Sequence, residues 1–376
     1  MSGPLPNTRV ALVHDYLNQM GGAEQVVEVF HELFPEAPIF TSVYDRQAMP
    51  THFAAMDVRT SFMQRLSPKR SISYKLLPLF PLAFERFDLR SYDLVLSSTT
   101  TFAKGVLTRP DTCHVCYCNT PFRYLWMYQE YLAHERVGRR LEAALSALAT
   151  PLRLWDYAAA QRVDYFLAGS QNAARRIRKF YRRDAIVLHS PVDAAAMPLG
   201  NGRGDFYLVA GRHQAYKRMD LAIEACNRLG CRLVITNEGP ETPRLKAMAG
   251  ATIEFTGRLS RDELRRVFAQ CRGLLWPGEE DYGIAPLEAQ AAGRPVIAYG
   301  RGGALETVLA DATGVFFQEQ TVEALIEAMR RADTLHFDPL AIRQHALQFD
   351  TSAFKEKLVT TLASLLEGYR RQVPTA

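Results

Sequence analysis

GLLWPGEEDYGIAPLE, residues 273–288, is the stretch on which the reading of this chain turns. Gly273–Trp276 is a short apolar run of strand character, Pro277–Gly283 is a loop rich in turn formers and acids, and a helical pattern begins at Ile284. A strand that passes through a loop into a helix is the building unit of a parallel sheet, and the loop lies at the sheet's carboxyl edge, where ligands bind. Gly283 allows close approach of backbone to a ligand, and the N–H groups of Gly283, Ile284 and Ala285 open a helix whose positive end suits phosphate. Glu280 sits in the loop and Glu288 about a turn into the helix. Two readings stand for them. They face a ligand at its two ends, or Glu288 is a solvated helix residue and Glu280 a partner of the helix dipole.

The same alternation runs outward in both directions. Upstream, strand-like runs occupy Arg9–His14, Pro38–Tyr44, Asp93–Ser98, Thr112–Cys118, Asp164–Ser170 and Ala185–His189, with a long helical pattern over Arg139–Arg162. A second series follows, with strands at Phe206–Gly211, Arg232–Asn237, Thr252–Thr256, Gly273–Trp276, Pro295–Tyr299 and Gly314–Phe317. Between the two series, residues 191–204 carry Pro191, Pro198, Gly200, Gly202 and Gly204 and read as a linker. The expected organisation is an α/β chain with one domain over 1–190, a second over 205–350, and a last helix in 351–376 returning towards the first domain. Two open parallel sheets with their carboxyl edges at a shared crevice give a natural ligand site.

Bulk properties agree with this division. The chain has 376 residues, 48% of them hydrophobic and 23% charged, which suits two globular domains and excludes a disordered chain. No apolar run approaches the ~18 residues that span a bilayer, and Met1–Asn7 shows no signal-peptide pattern, so the expected location is cytoplasmic. Cys113 and Cys116 have the spacing of half a zinc site, but no second close pair completes it. They are read as small apolar residues of a buried strand. Residues 1–190 hold 23 basic and 17 acidic residues and the remainder 22 and 23, so the first half should meet anionic partners.

Past the first strand of the second domain, Arg212, Lys217 and Arg218 emerge at the same edge as the 273–288 loop. Arg and Lys suit a diphosphate, and cations at a helix N-terminus call for an anion to justify them. Gly21-Gly22 follows the first strand without the full dinucleotide fingerprint, leaving a ligand-contacting loop and a plain tight turn equally open. No Ser-His-Asp grouping, HExxH, Walker loop or Asp-x-Asp loop occurs, so Arg, Lys and a helix dipole would neutralise a diphosphate without metal.

Glu280 and Glu288, seven residues apart within PGEEDYGIAPLEAQAAGRPVIA, together with Gly211-Arg212, Lys217-Arg218 and Gly302-Gly303, resemble glycosyltransferase family four (group 1), the retaining GT-B enzymes. The resemblance implies two Rossmann-like domains facing a cleft. It implies that Arg212 and Lys217 hold the donor diphosphate, Glu288 the ribose and Glu280 the sugar hydroxyls. The amides of Gly283, Ile284 and Ala285 would meet phosphate or sugar, with Gly21 and Gly22 beside the donor and Gly257 and Arg258 bordering the base.

His14-Asp-Tyr with Gly21-Gly-Ala-Glu24, and Asn119-Thr-Pro-Phe-Arg-Tyr-Leu-Trp126, are similar to bacterial mannosyltransferases of O-antigen and exopolysaccharide assembly. That implies mannose transferred from GDP-mannose to a polyprenyl-diphosphate-linked saccharide, with no cofactor and no metal. These relatives usually carry His where Asn119 stands. Asn donates a hydrogen bond but takes no proton, so Asn119 positions the sugar or another residue, His14 or His114, substitutes; each of these is otherwise a core histidine. A UDP-sugar transferase, an epimerase of the same fold and a non-catalytic sugar-nucleotide-binding partner are the alternatives.

A stretch from Phe62 to Arg86 interleaves Arg70 and Lys75 with large apolar residues, and Arg175, Arg176, Arg178, Lys179, Arg182 and Arg183 crowd nine positions. With Arg123 they suit an anionic leaflet or a lipid diphosphate rather than a merely solvated face. This places the chain peripherally on the inner face of the cytoplasmic membrane. No nucleic-acid module appears.

Overall fold

A computed structural model describes residues 4–66, 74–127, 139–202 and 204–372. The chain forms two units. Unit 1 runs to Pro191 and takes up the chain again from Phe354, and unit 2 is Val192–Ala353.

Unit 1 is built on β1 (Val10–His14), β2 (Ile39–Thr41), β3 (Val58–Thr60), β4 (Leu94–Thr99), β5 (Cys113–Cys118), β6 (Tyr165–Ala168) and β7 (Ala185–Val187), in the order 3-2-1-4-5-6-7 with every pair parallel. The central strands β1, β4 and β5 are buried along their whole length because both sheet faces are covered. Ala11, Val13 and Val95 pack on Phe80, Phe84 and Leu152, and Cys116 and Phe166 on Ile177 and Tyr181. On the other face, Leu12, Leu96 and Tyr117 pack on Phe30 and on Phe354, Leu358 and Leu362 of the last helix, Thr351–Gln372. Cys113, Cys116 and Cys118 are all buried, and burial pushes the first two thiols up to about 12. The short β3 was not foreseen. It is an edge strand whose Val58 is half-buried and whose Arg59 and Thr60 are exposed, so no apolar run marks it.

Unit 2 repeats the plan with β8 (Phe206–Ala210), β9 (Arg232–Thr236), β10 (Ile253–Gly257), β11 (Gly273–Trp276), β12 (Val296–Tyr299) and β13 (Gly314–Phe317), in the parallel order 10-9-8-11-12-13. The segment expected as a linker is packed into this unit. Val192, Ala194 and Met197 are buried in its core. Gly200 and Gly204 lie so close to the backbone of Ala269 and Gln270 that a Cβ would fall within 2.4 Å and 2.1 Å of it. The glycines there serve close packing rather than freedom.

Both strand orders contain a switch point, between β1 and β4 in unit 1 and between β8 and β11 in unit 2. Neighbouring connections leave in opposite directions there and open a crevice at the carboxyl edge.

Candidate functional site

In unit 2, the loops after β8 and β11 meet across the switch point. Beyond β8, a single helical turn, Ala215–Lys217, presents the Lys217 ammonium, and the loop after β11 presents Glu280. The two form an ion pair with side chains only 12% and 17% exposed. The Trp276 ring lies beside the ammonium, 4.8 Å from its centroid, a favourable cation–π placement.

Glycines make this arrangement possible. A Cβ on Gly278 would sit 2.7 Å from the Lys217 Cα. Gly302, at φ +61°, follows β12 and would bring a Cβ to 2.2 Å from the Glu280 carbonyl, while the Gly303 N–H donates to that same carbonyl at 2.8 Å. The loop after β12 therefore holds the backbone of Glu280 in place. Gly283, at φ +87°, is the N-cap of the helix Ile284–Ala291 and brings no side chain to its first-turn N–H groups. An anion can meet these amides directly.

Glu288 stands one turn into that helix. Its side chain keeps part of its surface, yet protein around the carboxyl pushes it up to about 7 through desolvation, with Arg261 and Arg265 pulling the other way. Arg212 is exposed just beyond Gly211. Arg218 has a local reason for its place: it stands in the left-handed region at φ 49°, caps the helix Met219–Leu229 and pairs with Asp220 at 3.3 Å. No anionic ligand is needed to explain it. Gly257 and the exposed Arg258 end the edge strand β10, two strands away from β8.

In unit 1, the β1/β4 switch point is filled from within. The Asp15 carboxylate accepts from four successive backbone N–H groups, Thr100 at 2.6 Å, Thr101 at 2.9 Å, Phe102 at 2.8 Å and Ala103 at 2.7 Å, and from the Thr100 hydroxyl at 2.9 Å. Such a nest of amides is an anion-binding device, and here the chain's own carboxylate is the anion. The loop is tied down again by Lys104, which is buried, donates to the Thr101 carbonyl and pairs with buried Asp156 at 2.5 Å.

His14 is buried beside this loop. Its Nδ1–H donates to the Ser98 carbonyl at 3.1 Å, and its Nε2 faces the buried Glu24 carboxylate at 3.5 Å. Burial works against a charged ring, but the Glu24 hydrogen bond and charge outweigh it, so His14 holds its proton above the ordinary imidazole range. With both nitrogens facing acceptors, the protonated ring has no lone pair to offer as a base. His114 is the opposite case: Nε2 meets the Ser97 hydroxyl at 2.9 Å, and burial drives it down to about 3. It is a neutral core residue. Gly21 is extended, and a Cβ there would lie 3.0 Å from the Glu24 carboxylate, a tight contact with the end of a side chain. Gly22 begins the helix Gly22–Leu33.

Asn119 follows β5, and its carboxamide N–H groups reach the Ser98 hydroxyl at 3.3 Å and the Thr99 carbonyl at 3.4 Å. Arg176 reaches the neighbouring Thr120 hydroxyl at 3.4 Å. Arg123 opens the short helix Arg123–Trp126, and Arg175 and Lys179 are exposed on the helix Gln171–Tyr181. Arg70 and the Lys75 side chain lie outside the described residues. Sequence reasoning gave no role to Asp15, Glu24, Trp276 or Gly278. Of these, Trp276 and Gly278 stand inside the quoted motif and were within its reach.

Comparison with known proteins meets this geometry. Residues 193–336 match the family model described as Glycosyl transferases group 1. Over 95% of this chain and 100% of the other, the structure is similar to the Anabaena protein HepE in complex with UDP and glucose, with a TM-score of 0.70 at 16% identity. It is likewise similar to a sucrose-phosphate synthase of Thermosynechococcus elongatus, with a TM-score of 0.75 at 16% identity over 96% of this chain and 100% of that one. The fold is GT-B. Similarity in sequence is shorter. A glycogen synthase of Pseudomonas aeruginosa is 32% identical over 149 residues, 37% of this chain and 29% of that protein. The O-antigen chain mannosyltransferase C of Escherichia coli is 29% identical over 133 residues, 33% and 36% of the two chains. The GT-B chain thus spans less than half the length of the curated relatives it matches. Its Lys217, Glu280 and Glu288 all fall inside the family-matched segment.

Proposed function

We propose that this chain is a retaining glycosyltransferase that moves mannose from GDP-mannose to a polyprenyl-diphosphate-linked saccharide in cell-surface polysaccharide synthesis. The observation that carries the reading is the Lys217–Glu280 pair across the β8/β11 switch point, backed by the Ile284 helix N-terminus. A cation, a carboxylate and free helix amides at one crevice suit a ligand with a diphosphate at one side and hydroxyls at the other. Lys217 and Arg212 hold the diphosphate without a metal, Glu288 the ribose, and Glu280 the sugar hydroxyls. The match to an O-antigen mannosyltransferase supports the choice of mannose.

The acceptor hydroxyl attacks from the face that the diphosphate leaves. The bond from the anomeric carbon to the phosphate oxygen breaks as the new glycosidic bond forms, and the departing phosphate oxygen takes the acceptor proton. The protein supplies positioning and charge stabilisation. This route asks for no base from unit 1. It fits an Asn at 119 and a His14 whose nitrogens both face acceptors. The lipid-linked acceptor places the enzyme at the inner face of the cytoplasmic membrane.

Thermal unfolding with GDP-mannose, GDP, UDP-glucose and UDP tests the donor. At a hundredfold excess over its dissociation constant, a ligand of the native state adds about 2.7 kcal/mol of stability. A rise with GDP-mannose and GDP alone is expected. The complex of HepE with UDP and glucose favours a second reading, a UDP-sugar donor, and a rise confined to UDP ligands would replace the first. Nucleotide release on mixing donor with acceptor separates an enzyme from a binding partner that only holds the sugar nucleotide.

A further inference from the structure

Three helices cover one face of the unit 1 sheet side by side: Phe80–Glu85, Arg139–Gln161 and Gln171–Tyr181. The Trp155 indole donates to Glu85 at 2.8 Å, and the Gln161 carboxamide to the Tyr181 carbonyl at 2.9 Å, joining the three into one layer. The outward stripe of the middle helix is Thr150, Pro151, Leu154, Tyr157, Ala158 and Gln161. A helix facing only water carries charge on that side, but among the described side chains, from Leu148 onward, this stripe carries none. Leu154 is 70% exposed, Tyr157 40%, and Leu82 on the first helix 47%.

Charge on the layer is sorted by sign. Among the described side chains of these three helices, Asp156 is buried and the half-buried Glu85 is paired. Glu85 is taken by Trp155 and by Arg162 at 2.9 Å, and Asp156 by Lys104 and the Trp126 indole. The exposed charges are cations, Arg175, Arg178 and Lys179 on the third helix, and the Arg178 contact to Asp184 is a long 3.9 Å. An apolar centre beside a predominantly cationic flank, on which Arg175, Arg178 and Lys179 outnumber the exposed Asp184, is complementary to one kind of surface, an anionic bilayer. Its acyl boundary takes Leu and Tyr, and its headgroups take Arg and Lys.

We propose that this layer is the membrane-docking surface of the chain, with Leu82, Leu154 and Tyr157 entering the interface and Arg175, Arg178 and Lys179 meeting anionic headgroups. This deepens the lipid-linked acceptor of the proposed function by naming the surface that reaches it. Vesicle binding needs neither donor nor turnover, so it stands or falls separately from the nucleotide test.

The experiment is co-sedimentation of the full chain with vesicles of phosphatidylcholine alone and of equimolar phosphatidylcholine and phosphatidylglycerol. Binding to the anionic vesicles only is expected. At about fivefold per basic residue near the surface, R175E with K179E should weaken it at least about 25-fold. L154E with Y157E should abolish it at unchanged melting temperature, because both positions are exposed. Equal binding to neutral vesicles, no binding to either kind, or full binding by L154E/Y157E overturns the proposal. Capture by single-stranded nucleic acid in place of vesicles overturns it too.

Discussion

Lys217 and Glu280 neutralise one another at the switch point of unit 2. On the proposed reading, a diphosphate that takes Lys217 draws it from Glu280 and frees the carboxylate for the sugar. Lys217→Ala should therefore weaken nucleotide binding and turnover together, and initial-rate kinetics showing both constants unchanged would remove it from the diphosphate site. Glu280→Ala should lower turnover by about a hundredfold or more, the scale of a lost transition-state contact, while calorimetry still detects the donor. Near-normal turnover would refute the role.

Glu288 carries a pH dependence. Its carboxyl titrates near 7 in the folded chain, above the usual 4.5. A raised acid stabilises the fold while protonated, and that contribution fades as pH rises from about 4.5 through 7. Glu288→Gln should flatten this part of the stability profile. If Glu288 holds the ribose as proposed, the ribose hydroxyls donate to the ionised form, and donor affinity should rise with pH through 7 in the natural protein and stay level in the variant. The residues of the 273–288 motif were legible because they are neighbours in sequence. Asp15 was not, since its partners are mainly backbone N–H groups of Thr100–Ala103, 85 to 88 positions away, which leave no signature in residue type.

At the scale of elements, loops pinned by backbone contacts shape both switch points. In unit 1 the Asp15 carboxylate replaces the ligand that such an amide nest ordinarily takes. Asp15→Ala leaves buried N–H groups without an acceptor, at about 1–3 kcal/mol for each that finds none, and a marked fall in the denaturation midpoint is expected. Formate, which fits the vacated carboxylate position, should restore part of it; no response to formate would argue that the nest collapses. In unit 2, Gly302→Ala meets both a left-handed backbone and the Glu280 carbonyl. Displacement of the Glu280 loop should cost activity more than it costs folding, a comparison of rate with melting temperature. Strands were readable where both faces are covered, as in Phe206–Ala210, since burial writes a continuous apolar run. The edge strand Val58–Thr60 has no such constraint and left no trace in the pattern.

At the scale of the molecule, the division into two α/β units was legible from the doubled alternation of strands and helices. The packing of Val192, Ala194, Met197, Gly200 and Gly204 into unit 2 was not, because glycines that permit tight packing and glycines that confer freedom look alike in sequence. The last helix completes unit 1 through Phe354, Leu358, Leu362 and Leu366. Leu362→Ala there should cost about 2–5 kcal/mol as a core truncation, and amide exchange should show the loss in unit 1 while unit 2 keeps its protection. The order of the chain then acts on its synthesis. Unit 2 is one continuous segment and can fold as soon as it clears the ribosome. Unit 1, begun first, waits with one face of its sheet covered only in part, by the helix Gly22–Leu33, while more than 160 further residues are added. For that interval the nascent chain carries an open apolar surface that chaperones can hold, and only the arrival of Phe354 and the residues after it ends that dependence.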